Sequence, residues 1–379
     1  MMANTFPGRL GLQQRVLPSY RSAFLDALAK GCQRGLSVFA GKPLPNEGIE
    51  SVSQLQVGQV VQAKNRYFLD PSSPMFICWQ NGFLRWLEEW QPDGLIVEAN
   101  PRYPMTRKAI SWMHHKGRTV IGWGLGAPPI GGAFSSLRGR ERLRMLHSLD
   151  AVIAYSNLGA EQYRQLGLPP ERVYVATNAV APAPSFPPPP RPLQFEKQPS
   201  VLFIGRLQSR KRVDLLIQAC AALPVQLQPR VVVVGEGPAR HEFTNLAQKI
   251  YPSVEFVGAK HGAELEPYFA SADLFVLPGT GGLAIQQAMA HGLPVVVARG
   301  DGTQDDLVRE ENGWQASPDD LDALVNILYQ ALSDPVNLRQ MGDASYRIVA
   351  EEINIDKMVE VFIHALNDIG KGGKIPKDG

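Results

Sequence analysis

At 379 residues the chain is too long for one ordinary hydrophobic core, so two domains are the starting expectation. Hydrophobic residues make up 44% and charged residues 20%, a balance that argues against wholesale disorder. The net charge of +2 hides an asymmetry: residues 1–194 hold 21 Lys and Arg against 12 Asp and Glu, and the rest hold 17 against 24. A basic first half suits an anionic partner, such as a phosphorylated acceptor or a lipid surface, or simply the acidic second half. Nucleic acid is not expected, because no motif interleaves aromatic and basic residues. Cys32, Cys78 and Cys220 are odd in number, far apart and in apolar company, which reads as buried thiols with neither disulfide nor zinc spacing. No signal-like segment opens the sequence, and no apolar run approaches the roughly 18 residues of a membrane span. The expected location is cytoplasmic, with peripheral contact at an inner membrane face as a further expectation.

In chain order, residues 1–19 are poorly patterned. Tyr20–Cys32 reads as a helix with Phe24, Leu25, Leu28 and Ala29 on one face. Ser37–Ala40 and Val57–Ala63 read as strands. Met75–Trp90 reads as one aromatic-rich helix carrying Trp79, Phe83 and Trp86. The strand Leu95–Glu98 follows, then a helix to about His115, then the strand Thr119–Trp123. Leu137–Leu149 is helical and very basic on one side, through Arg138, Arg140, Arg142 and Arg144. Ala151–Tyr155, Gly159–Leu166 and Val173–Ala176 continue as strand, helix and strand. This alternation predicts a mainly parallel sheet covered on both faces.

At 181–192, APAPSFPPPPRP, the pattern stops, since proline this dense is neither helix nor central strand. Residues 181–195 are therefore expected to be a semi-rigid linker between an amino-terminal domain, 1–180, and a second domain, 196–345. The second half restarts the rhythm with strands at Val201–Ile204, Val231–Val234 and Val254–Val257. Helices are expected at Val213–Ala222, Glu242–Ile250 and Leu265–Ala272, and later at Leu321–Leu332 and Tyr346–Leu366. The last of these is expected to cross back onto the first domain over 346–370, with 371–379 loose.

The stretch with the most chemistry is 277–302, LPGTGGLAIQQAMAHGLPVVVARGDG. The strand Leu274–Leu277 runs into Pro278, Gly279, Thr280, Gly281 and Gly282. A short helix, Leu283–His291, then leads to the strand Pro294–Ala298. Such a strand–loop–helix–strand unit must cross over as parallel βαβ, and its loop exposes backbone N–H groups suited to an anion. A ligand-free tight turn is the alternative reading. A second loop lies in SVLFIGRLQSRKRVDLLIQA at 200–219: a strand ends at Gly205, followed by Arg206 and then Lys211 ahead of a helix. Arg binds a diphosphate bidentately and Lys acts as a point charge. A solvated basic loop is the alternative.

Taken together, GRL-x3-K-x-VDLLI, VVVVGEGP, VEFVG, ADLFVLP with its glycine loop, AMAHGLPVVV and ENGW resemble the carboxy-terminal domain of the retaining glycosyltransferases of family 4, in order and spacing over about residues 200–315. The first half resembles the family only in outline, through AVIAYSNLGAEQYRQLG and VYVATNAV. The resemblance implies a GT-B architecture, α/β, with two Rossmann-like doubly wound domains facing a central cleft. It further implies a nucleotide-diphosphate sugar as donor, UDP- or GDP-linked, no metal or other cofactor, and a glycan or lipid-linked acceptor. Arg206 and Lys211 match the pair that binds the donor diphosphate and stabilises its departure. Gly205, Glu236, Gly258, Gly281, Gly282 and Leu283 match the other donor-binding positions. Gln287 stands where the family usually has a glutamate on the ribose, and Gly279 where it has a glutamate on the donor sugar. Gly124 or Leu125 takes the place of a histidine near the reacting centre, and Asp305 that of a downstream glutamate. On the acceptor side, Glu98, Asn100 and Arg102 sit at a strand end, where they could hold the acceptor or act as base, and Trp123 and Gly124 sit at another, where Trp123 could stack on a sugar. A capped strand end and a buried tryptophan are the alternatives there. With Gly279 in the loop, retention rests on front-face attack guided by the leaving phosphate. The rival readings are a GT-B sugar-nucleotide epimerase and a nucleotide-sugar-binding pseudo-enzyme.

Overall fold

The structure, a computed structural model, describes residues 5–371 apart from 48, 70–72, 74, 133, 196 and 301, so the tail expected at 372–379 lies outside the described residues. The chain divides into two compact units, residues 1–180 with 355–379, and residues 181–354.

In the first unit the strands are β1 (Leu10–Val16), β2 (Leu36–Gly41), β3 (Gln59–Gln62), β4 (Lys64–Phe68), β5 (Ile77–Asn81), β6 (Gly94–Glu98), β7 (Thr119–Gly124), β8 (Ala151–Ala154) and β9 (Val173–Val175). Among the described residues, seven of them form one parallel sheet in the order β3-β2-β1-β6-β7-β8-β9. Strand order reverses between β1 and β6, and that crevice is where ligands of open α/β sheets bind.

Three expectations are corrected here. Residues 1–19 contain β1, one of the two strands at the reversal point. Its sequence, LGLQQRV, hides it, because Gln13 and Gln14 are fully buried. A buried amide needs partners, and those of Gln13 come from far along the chain: Gln13 Nε2 donates to Gln80 Oε1 at 2.5 Å, and Gln13 Oε1 accepts from the Glu98 N–H at 3.1 Å. Met75–Trp90 is not one helix. Its first part is β5, paired antiparallel with β4, where Cys78 and Gln80 are buried with the period of two that a strand requires. Gly82 at φ +88° turns the chain into the shorter helix Phe83–Trp90. Finally, Tyr346–Leu366 is interrupted. The helix Pro335–Arg347 passes through a π-turn at Ile348–Glu352, and a new helix starts at Ile355. The buried Asn354 side chain donates to the carbonyls of Val349 and Ala350, at 2.9 and 3.1 Å, and closes the broken end.

The helix Ile355–Lys371 belongs to the first unit. Its Ile355, Met358, Phe362, Ile363 and Leu366 share a core with Phe24, Leu25 and Leu28 of the helix Ser22–Lys30 and with Trp123. The opposite face of the sheet is covered by Phe83, Trp86, Leu87, Ala109, Met113 and their neighbours. This is the two-sided burial that an all-parallel sheet demands.

The second unit contains β10 (Ser200–Ile204), β11 (Arg230–Val234), β12 (Val254–Phe256), β13 (Leu274–Leu277), β14 (Val295–Ala298) and β15 (Gly313–Ala316). They form a parallel sheet in the order β12-β11-β10-β13-β14-β15, the doubly wound order with its switch point between β10 and β13. The proline-rich stretch is packed on this unit. Arg191 donates to the carbonyls of Ala272 (2.9 Å), His291 (2.9 Å) and Phe269 (2.9 Å), and Tyr346 Oη donates to Phe186 O at 2.9 Å. Burial, followed by the nearby Arg339, pulls the Arg191 guanidinium down to about 10.

Candidate functional site

Two groups of predicted residues lie at the two switch points, one in each unit. In the second unit, Gly205 and Arg206 follow β10, Glu236 follows β11, Gly258 follows β12, and Gly279–Leu283 follow β13. Because these strands are neighbours in the sheet, their loops form one continuous rim at its carboxyl edge. The loops are bonded to each other: Leu207 N–H donates to Glu236 O at 2.8 Å, and Gly235 N–H to Gly258 O at 2.8 Å. Glu236 is ion-paired with Arg240. Arg206 is exposed on its loop.

Lys211 is the cation brought onto the glycine loop. It is 8% exposed, and its Nζ donates to Thr280 O at 2.7 Å and Gly281 O at 3.3 Å. In a trans peptide the C=O and the following N–H point in opposite directions. Holding these two carbonyls therefore turns the N–H groups of Gly281 and Gly282 away from the lysine. Gly281 has φ +71°, a conformation that glycine adopts without penalty. Burial, and then the charge of Arg210, lowers the Lys211 ammonium to about 8. A buried, paired-with-carbonyl cation of depressed pKa at a switch point is poised for an anion. Gln287 is half-buried on the short helix Ala284–Ala290 that follows the loop.

Two participants escaped the sequence reading. Arg210 Nη1 donates to Thr280 Oγ1 at 3.2 Å, and Thr280 N–H donates to Arg210 O at 3.1 Å. The turn 209–211 is thus laced to the glycine loop by both side chain and backbone. That lacing explains Gly279. A Cβ there would lie 2.3 Å from Arg210 O and 2.4 Å from the Lys211 carbonyl carbon, so backbone occupies the space a glutamate would need. Gly279→Ala is accordingly expected to cost about 1–3 kcal/mol by overpacking. That corresponds to roughly 2–12 °C in the thermal midpoint of the second unit, read by calorimetry. An unchanged midpoint would mean that the 209–211 turn yields freely and does not exclude a side chain.

In the first unit the switch point lies between the ends of β1 and β6. Glu98, the last residue of β6, accepts from the Arg15 N–H at 3.0 Å. Burial raises its pKa, while the Arg15 amide, the charge of Arg21 and the Tyr103 hydroxyl oppose that rise. Arg21, just past β1, lies 4.4 Å over the Trp123 ring and donates to Tyr155 Oη at 2.9 Å. Arg21, Tyr103 and Tyr155 were not anticipated. The only available signal was β1 itself, since without that strand nothing marks 17–21 as a switch-point loop. Asn100 Oδ1 accepts from the Arg102 N–H at 3.1 Å, an Asx-type turn, and Arg102 is exposed. Trp123 is 1% exposed, enclosed by Phe24, Phe362 and Tyr155 as well as Arg21. It is thus a core residue under the site, in keeping with the reading of Trp123 as a buried tryptophan. Gly124 allows close approach, since a Cβ there would lie 2.6 Å from Tyr163 Oη. Arg21, Glu98, Asn100, Arg102, Gly124 and Tyr155 border a cavity of about 630 Å³. Among the described residues, no group of three His, Cys, Asp or Glu is placed to hold a metal.

Two parallel-sheet Rossmann-like units, each with polar residues gathered at its switch point, define the GT-B class of protein. Two solved structures share this fold over nearly their whole length. Sucrose-phosphate synthase from Thermosynechococcus elongatus superposes with a TM-score of 0.70 at 17% identity, covering 96% of this chain and 99% of that one. HepE from Anabaena in complex with UDP gives 0.69 at 17%, covering 95% and 99%. Residues 198–334 match the family described as Glycosyl transferases group 1. That match spans most of the second unit. The sulfoquinovosyl transferase SQD2 of Arabidopsis thaliana is 32% identical over 155 residues, 39% of this chain and 29% of that protein. The aligned stretch spans less than half the length of each of the first curated relatives. Among the described residues, no helix is long and apolar enough to cross a membrane.

Proposed function

We propose that this protein is a retaining, metal-independent glycosyltransferase. It takes a hexose from a UDP-linked donor held by the second unit and delivers it to an acceptor hydroxyl held by the first. The observation that carries this reading is Lys211, buried against the glycine loop at the switch point of a group 1 glycosyltransferase domain. The choice of UDP is supported by the nucleotide bound in HepE, and sugar transfer by the name of SQD2.

Breaking the bond between the anomeric carbon and the phosphate oxygen leaves negative charge on the diphosphate. Lys211, Arg206 and the outward amides of Gly281 and Gly282 are the groups offered to that charge, and cations fixed in place need no reorganisation as it develops. Gln287 offers an amide that both donates to and accepts from a ribose hydroxyl. The acceptor oxygen attacks from the face the phosphate leaves, and its proton passes to the departing phosphate oxygen, so configuration is retained. Glu98 and Arg21 orient the acceptor hydroxyl.

Thermal shift with UDP, GDP and ADP tests the donor site. UDP is expected to raise the midpoint most, and release of UDP from UDP-hexoses in the presence of a lipid or glycan acceptor is expected to survive EDTA. If no nucleoside diphosphate shifts the midpoint, the reading fails. Tight binding of a UDP-sugar without turnover on any acceptor would make the protein a non-catalytic binder.

A further inference from the structure

The cavity in the first unit carries a chemistry of its own. Four large apolar side chains on its border, Met75, Ile77, Leu125 and Leu137, are 37–54% exposed. Scattered exposed apolar residues mean little, but several gathered on one concave border mark a site for an apolar ligand. Between them stand Arg102, Arg138 and Arg142. Arg138 and Arg142 are held in place by loop carbonyls: Arg138 Nη2 donates to Gly131 O at 2.5 Å, and Arg142 Nη1 to Pro128 O at 2.6 Å. A carboxylate on the same border, Glu141, is bonded to Arg107 (2.7 Å) and Arg144 (2.6 Å), neither of which borders the cavity. Glu98, at the far end, is engaged by Arg15 and Arg21. Burial destabilises the Arg142 charge, Tyr163 offsets part of that, and Arg102 and Arg138 add repulsion. A half-buried Arg142 with Arg102 and Arg138 on the same cavity border is suited to one multiply charged anion, and guanidinium geometry fits phosphate.

We propose that this cavity binds a lipid phosphate, its anionic head among Arg102, Arg138 and Arg142 and its chain along Met75, Ile77, Leu125 and Leu137. Neither half of the site suffices alone. A sugar phosphate would leave the apolar border in water, and a neutral lipid would make no use of the guanidinium groups. That the bound lipid phosphate is the sugar acceptor rests on the glycosyltransferase reading above; that it binds does not. The basic run at 138–144 is thereby divided, with Arg138 and Arg142 on the cavity and Arg144 on Glu141.

Isothermal titration of the full chain with octyl phosphate, octanol and glucose 6-phosphate separates these sources. Octyl phosphate is expected to bind at least about 10-fold more tightly than either of the others. Arg102→Gln combined with Arg138→Gln is expected to weaken octyl phosphate about 10-fold or more and to leave octanol unchanged. Leu137→Gln, at an exposed position, is expected to weaken both chain-bearing probes and not glucose 6-phosphate. The thermal midpoint of each variant, read in parallel by calorimetry, reports whether the first unit is folded, and UDP affinity tests the donor reading separately. No saturable octyl phosphate binding at millimolar concentration overturns the proposal, as does equal binding of glucose 6-phosphate or octanol, or unchanged affinity in the arginine variant. Failure of UDP to bind overturns the donor reading and leaves the lipid phosphate result standing by itself.

Discussion

Lys211→Ala is expected to lower UDP affinity by about 10- to 150-fold and to lower turnover further. The lower bounds follow from a charge-assisted hydrogen bond, worth roughly 1.5–3 kcal/mol. The larger effect on turnover follows from charge growing on the diphosphate as the glycosidic bond breaks, so that the lost interaction is strongest in the transition state. The wild type should also show a pH signature. Burial and Arg210 hold the ammonium at about 8. A diphosphate beside it favours the charged form and raises its pKa, so binding above pH 8 takes up a proton. UDP affinity is therefore level near pH 7 and falls as pH rises through about 8, by at most tenfold per unit. The nucleotide's own second phosphate ionisation, near 6, is complete over that range. The ligand-free second unit shows the opposite trend in stability. Unfolded, the lysine returns toward 10.5, so between about 8 and 10.5 the unfolded chain binds more protons and stability rises with pH. Calorimetric titration at pH 7 to 9.5 checks the binding arm. A wild type with flat affinity across that range, or a Lys211→Ala variant that keeps the slope, would remove Lys211 from the diphosphate site.

Phe362→Ala is expected to destabilise the first unit by about 3–5 kcal/mol, the usual cost of emptying an aromatic from a packed core. Phe362 is fully buried, with its ring 4.9 Å from Phe24 and 5.1 Å from Trp123, edge-on to both. It comes from the helix Ile355–Lys371, which closes a core built otherwise from residues more than 170 positions earlier. For a unit of about this size the loss corresponds to roughly 6–20 °C in its midpoint. Hydrogen exchange resolved by peptide should show faster exchange over β7, β8 and the helix Ser22–Lys30, with β10–β14 unchanged. Unchanged exchange in the first unit, or loss of protection in the second, would contradict this packing.

Much of the fold was readable along the chain because the sheets are parallel and covered on both faces. VLFI, VVVV, LFVL and VVVA are uninterrupted apolar runs, and only a strand buried on both sides needs such a run. The glycine loop and the positions of Arg206 and Lys211 were readable for a similar reason, since backbone that must turn sharply at a strand end requires residues of recognisable type. Where the sequence was silent, satisfaction came from distant residues. β1 carries two buried glutamines, and the side-chain partners of Gln13 lie more than 60 residues away, so its pattern looks polar. β5 looks helical until β4 pairs with it. The break at Ile353 and Asn354 is set by hydrogen bonds to Val349 and Ala350 and by the distinct cores on either side. In the sites, composition named Lys211 and Glu98. Only the folded chain decided that Lys211 grips two carbonyls of the glycine loop, that Gly279 is closed by the backbone of Arg210 and Lys211, and that Arg21 and Glu98 meet at one end of a sheet. Local preference is written residue by residue, whereas a charge or a buried amide takes its meaning from whichever partner the topology carries to it.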